Sequence, residues 1–174
     1  MEITDDDFEQ WLDNEDMGCR ADRLQRLKWL ASRLPQGNCW TFPGGWSAKY
    51  LFEEARYCFV YGQFLAATIL GFAFVERTLA ALLFSAGRDD LERASVSKLL
   101  REALDNGWIT HEQFDALNRA RELRNAFTHF RRPLHNTSIE RRSITTNKPP
   151  YEIVEDDARF VIEGGLNILQ QNAT

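Results

Sequence analysis

The chain has 174 residues, and its 44% hydrophobic and 12% aromatic content excludes a disordered chain and suits one domain with a real core. A net charge of −5 excludes a uniformly basic nucleic-acid binder. Cys19, Cys39 and Cys58 form no C-x-x-C pair, which points away from a zinc site or a disulfide framework and fits a reduced, cytoplasmic setting.

Residues 1–16 carry eight acids and no base. They lack the basic region of a signal peptide. Thr4 is placed to cap a short helix with Phe8, Trp11 and Leu12 as its apolar face, and the acids suit the start of such a helix. The segment reads as a solvated arm, able to lie across a basic surface of its own or a partner chain. Leu24, Leu27, Ala31 and Leu34 then predict a second amphipathic helix over 22–34, stopped at Pro35. Glycines and the aromatics Trp40, Phe42 and Trp46 make 36–46 a connecting loop. It divides an N-terminal extension, 1–46, from a bundle proper, 47–174.

Ser47 is placed to cap the next helix, with Leu51, Ala55, Cys58 and Phe59 on one face. After Gly62, residues 64–84 form an apolar run near the length of a membrane span. Glu76 and Arg77 inside it, and the absence of a second such run, favour the central helix of a bundle. No membrane contact is expected. A carboxylate on such a helix requires a partner, for which Arg121 or Arg124 is the candidate; the alternative is an exposed Glu76 beside Arg77. Ser95 or Ser97 starts a short helix ended by Gly107.

Thr110 and Gln113 form a capping-box pair ahead of a helix running to about residue 130. Phe114, Leu117, Ala120, Leu123, Phe127 and Phe130 follow its apolar spacing, whereas Arg121, Asn125 and His129 recur at i, i+4 and i+8 as a polar stripe, flanked by Arg124. A guanidinium is permanently charged and fits a phosphate with two parallel hydrogen bonds. An imidazole takes and gives protons near neutral pH. Together they suit phosphodiester chemistry without a metal ion or cofactor. Arg124 and His129 are about 140° apart on a regular helix, so one chain does not aim both at one phosphorus unless the helix loosens before His129. Otherwise a second chain completes the site. The competing explanation is that basic residues in a last helical turn only balance the macrodipole and cap the free carbonyls.

Arg124-Asn125-Ala126-Phe127-Thr128-His129 resembles the R-x4-H motif of HEPN domains, and the likeness extends over about 47–170, where 57–83 resembles that family's paired central helices with an acidic residue on the second. The resemblance implies an all-α bundle, a homodimer that pools Arg124 and His129 of two chains, and metal-independent RNA cleavage. It also implies a possible role as a toxin or defence effector with a neutralising partner protein. The H-x-Y extension of some toxin members is absent, because Arg131 occupies that position.

Residues 119–148 hold eight Lys/Arg against two acids, a local +6 that leaves −11 on the remainder. Pro133 is expected to stop the motif helix. The polar stretch 134–150 reads as a loop, with Ser138-Ile139 and 143–145 as a candidate hairpin. Arg141, Arg142 and Lys148 in this loop, with Arg131 and Arg132 just before it, are the candidate RNA contacts. His135 reads as a solvated residue and His111 as incidental. A final helix over 155–170 buries Ala158, Val161, Ile162, Leu166 and Leu169, with Gly164-Gly165 implying close approach to a neighbouring helix.

The expected fold is therefore all-α, an up-and-down bundle of four to five helices with an N-terminal helical extension. Catalysis is assigned to Arg124 and His129, supported by Asn125, Arg121 and Glu76. Two other readings compete: a non-catalytic nucleotide- or RNA-binding module, and a protein-interaction bundle.

Overall fold

A computed structural model describes residues 4–34, 40–132 and 134–171. Among them are seven α-helices and no strand: α1 (Asp5–Ala31), α2 (Gly45–Val60), α3 (Phe64–Ser85), α4 (Val96–Asp105), α5 (His111–Thr128), α6 (Ile139–Thr146) and α7 (Pro150–Gln171). One 3-10 turn, Asp89–Leu91, precedes α4. The all-α expectation holds.

The apolar run forms α3, the helix around which α2, α4, α5 and α7 pack. By length and composition α3 could cross a membrane. Here Phe72, Phe74, Val75, Leu79 and Leu83 are buried against neighbouring helices. Gly165 lets α7 approach α3, since a Cβ there would lie 3.3 Å from Phe74 Cδ1. That is the close approach which Gly164-Gly165 implied. Gly62, at φ 79°, turns the chain tightly from α2 into α3.

Several boundaries differ from the sequence expectation. The two N-terminal helices are one, α1, which starts with Thr4 N–H donating to Asp7 Oδ2 at 2.9 Å. An Arg23–Asp16 ion pair at 2.8 Å ties its halves together. The helix ends at Ala31, and Pro35 lies outside the described residues. Leu30 is buried in the main core, with Trp29, Leu34, Trp40 and Phe42 packed against that core, so these five residues share it despite the division drawn at residue 46. Gly44, not Ser47, precedes the first turn of α2. Ser95 caps α4, accepting from Lys98 N–H.

The candidate hairpin is replaced by α6. Ser138 accepts from Arg141 N–H at 3.2 Å, and Asn147 closes the helix in the left-handed region at φ 53°. α7 starts five residues earlier than its apolar spacing indicated, with Pro150 in its first turn, where the missing N–H costs nothing.

Arg88 clamps the 3-10 turn to α4 through Asp90 at 2.9 Å and Glu102 at 2.5 Å. Its hydrogen bonds hold both carboxyls below the usual carboxylate range. A depressed folded pKa contributes stability above the unfolded value, and that contribution disappears as pH falls through the folded value. Arg88→Ala is therefore expected to lower urea stability at pH 7, with the gap from wild type closing below about pH 4. Paired denaturation curves at pH 7 and pH 3 check this.

Candidate functional site

α5 begins with the expected capping box: Gln113 N–H donates to Thr110 Oγ1 at 3.2 Å and Thr110 N–H to Gln113 Oε1 at 2.9 Å. Leu117 and Ala120 seat it on the core. Its other end departs from the expected course. Thr128 is the last helical residue, and His129 is extended at φ −123° and ψ 133°, its N–H still donating to Asn125 C=O at 3.1 Å. Phe130, assigned above to the apolar face, is 89% exposed. Pro133, the expected stop, lies outside the described residues, and the helix ends before it.

The helix thus loosens immediately before His129, yet this does not bring His129 and Arg124 of one chain to one cleft. His129 leaves the stripe it would share with Arg121 and Asn125. Its exposed ring lines a cleft of about 280 Å³ with Phe127, Phe130, Arg131 and Ile139. Arg124 does not line this cleft. It points back to α3, where its Nη2 donates to Glu76 Oε2 at 3.4 Å and its guanidinium lies 5.1 Å from the Phe72 ring centroid. Glu76 thus takes Arg124 as its partner. The pair is only part-buried, with side chains 22% and 40% exposed, and its single bond is long, so other N–H groups of Arg124 remain available for an anion.

Arg121 is held locally: its Nε donates to Asn118 Oδ1 at 3.0 Å and its Nη2 lies 3.8 Å from Glu122. The Asn125 side chain makes no hydrogen bond among the described residues, while its carbonyl ends the helix as stated.

The five candidate RNA contacts divide. Arg131, Arg132 and Arg141 are exposed and make no ion pair among the described residues. Arg142 instead faces inward, where Asp157 receives both guanidinium nitrogens at 2.5 and 2.6 Å. Those bonds raise the Arg142 pKa, and Asp157 is 2% exposed. This is a bolt between α6 and α7 and corrects the RNA-binding assignment of Arg142. Lys148 is exposed and pairs with Asp156 at 2.7 Å, which raises its pKa. Sequence reasoning missed Asp157, although a signal was present. It lies four residues after Ile153 and four before Val161, on the buried stripe of α7, where a carboxylate requires a cation. His135 Nδ1 pairs with Thr137 Oγ1 at 2.9 Å, a local turn contact.

Arginine and histidine of the motif therefore sit on different sides of one chain's α5 terminus. The histidine is exposed beside Arg131, which makes no ion pair among the described residues, and the arginine of the motif is braced by a carboxylate. Comparison with known proteins adds no family: no family model, curated protein or solved structure matches the chain.

Proposed function

We propose that this chain is a metal-independent RNA endonuclease of the HEPN type that works as a homodimer. The observation that carries the reading is the position of His129, just past the end of α5 and exposed beside Arg131 on a cleft. Arg132 and Arg141 lie nearby in sequence and add exposed positive charge. A proton-transfer group next to unpaired cations suits a phosphodiester.

In this mechanism the ribose 2′-oxygen attacks phosphorus and the bond to the 5′-oxygen breaks. His129 takes the 2′ proton or supplies one to the departing oxygen. Arg124 stabilises the added negative charge on the phosphoryl oxygens, held by Glu76. The products are a 2′,3′-cyclic phosphate and a 5′-hydroxyl. Because Arg124 and His129 of one chain do not face one cleft, a two-fold pair is the arrangement that serves both. The role of toxin or defence effector, held in check by a neutralising protein, belongs to the same proposal and is tested by growth on expression.

Mixing two inactive chains tests the pooled site. Arg124→Ala and His129→Ala proteins are each expected to be inactive, while their mixture regains up to a quarter to a half of wild-type cleavage through heterodimers with one intact site, a rough expectation from random pairing of two-fold partners. A mixture as inactive as its parts contradicts pooling.

The Arg124–Glu76 pair favours a second reading, a non-catalytic RNA-binding module, because the guanidinium already has a carboxylate partner. Salt-sensitive RNA binding without turnover identifies it.

A further inference from the structure

The N-terminal half of α1 has no counterpart in the bundle. Arg26 anchors α1 to α2 through Val60 C=O at 3.3 Å and to α7 through Glu155 at 3.6 Å. Arg23 lies over the Tyr61 ring at 5.0 Å. Beyond α1 and its Thr4 cap, residues 5–15 make no hydrogen bond, ion pair or ring contact among the described residues. These eleven residues extend the rod by about 16 Å at 1.5 Å per residue. Phe8 and Leu12 lie on the same face of α1 as Leu30, with Trp11 beside them, yet all three are more than half exposed. Seven acids accompany them: Asp5, Asp6, Asp7, Glu9, Asp13, Glu15 and Asp16.

This acidic, aromatic arm emerges at the end of the bundle that carries the His129 cleft. α5 and α7 are antiparallel, as Leu117 beside Gly164 and Arg119 over Phe160 require. The end of α5 therefore lies toward the start of α7, where Arg26 meets Glu155. The cleft is lined by Phe127, Phe130 and Ile139 together with His129, Arg131 and Glu140, so the positive charge around it comes from Arg131 with the exposed Arg132 and Arg141 that follow in sequence. At about 280 Å³ the cleft has room for an inserted side chain.

We infer that the arm of one chain docks in this cleft on a second copy, with an aromatic of the arm inserted among Phe127, Phe130 and Ile139 and its acids facing Arg131, Arg132 and Arg141. Charge complementarity selects the occupant, since the arm carries the acids that the exposed arginines lack. The rigid attachment of α1 through Arg26 and Leu30 favours a second copy over the same chain. The contact is reciprocal: each copy offers one arm and one cleft from the same end, so exchange turns the two His129-bearing ends toward each other. It does not depend on whether the site cleaves RNA.

Charge reversal in two separate chains tests this by sedimentation equilibrium. One chain carries Asp6→Lys, Glu9→Lys and Asp13→Lys, leaving the Asp7 cap intact. The other carries Arg131→Glu, Arg132→Glu and Arg141→Glu. Wild type is expected to dimerise, each reversed chain to dissociate at least about tenfold more readily, and their equimolar mixture to regain the dimer, because both contacts are again of opposite sign. Trp11→Ser weakens the wild-type dimer without changing charge. The inference is overturned by a wild type that stays monomeric at high micromolar concentration, by a reversed chain that associates like wild type, or by a mixture that remains monomeric. Recovery in the mixture excludes misfolding of either chain as the cause.

Discussion

His129→Ala is expected to remove RNA cleavage by about 10²–10⁴-fold, the usual contribution of one positioned proton-transfer group. The ring is exposed and outside the helix, so its loss leaves no cavity and no orphaned buried partner. Helix content and the urea midpoint should stay at wild-type values. The backbone N–H that donates to Asn125 C=O survives the substitution, so the end of α5 is retained. If the histidine served only as a helix cap, the variant would lose a little stability and no activity. Parallel rate and denaturation measurements separate the two outcomes, and wild-type cleavage in the variant contradicts the catalytic assignment.

Arg142→Ala is expected to destabilise the fold by about 3–5 kcal/mol, the cost of breaking a buried ion pair by removing one partner. Asp157 is 2% exposed and would keep an uncompensated carboxylate between α6 and α7. Asp157→Ala is expected to cost less, because the Arg142 side chain is 23% exposed and can turn toward water. Replacing both together, as Arg142→Met with Asp157→Leu, should recover most of the loss, since an apolar pair of similar volume carries no desolvation penalty. Urea denaturation of wild type and the three variants checks these expectations. A loss below about 1 kcal/mol in Arg142→Ala would show that the pair behaves as a surface salt bridge.

Much of the fold could be read from spacing. The apolar run at 64–84 reads as a core helix, and of the two settings open to its one carboxylate, Glu76, the structure shows a part-exposed pairing with Arg124. Thr110 with Gln113 fixed the start of α5 through local hydrogen bonds that involve no distant residue. The elements that escaped notice depend on distant partners. α6 has only eight residues, Ile139–Thr146, and no run of buried apolar side chains. A Ser138 cap and the Arg142–Asp157 bolt hold it, and the bolt spans fifteen positions in sequence. α1 was divided in two because the stretch between Leu12 and Leu24 carries Met17 as its only large apolar side chain, which interrupts the recurrence. A helix can nevertheless continue past the surface it packs on when its own caps and ion pairs support it.

The end of α5 shows the same limit at the site itself. Phe127 and Phe130 continue the apolar spacing, so periodicity carries the helix through His129. The chain instead leaves the helix at Thr128, and Phe130 goes to solvent. That departure puts His129 on the cleft and leaves Arg124 facing α3. The sequence pattern identified both residues, but the separation between them is a property of the fold.

The most direct measurement is incubation of the purified protein with mixed cellular RNA in excess EDTA, followed by analysis of the product ends. Metal-independent transfer by His129 and Arg124 predicts cleavage with 2′,3′-cyclic phosphate and 5′-hydroxyl ends. Intact RNA, or 3′-hydroxyl ends formed only when a divalent ion is restored, would contradict it.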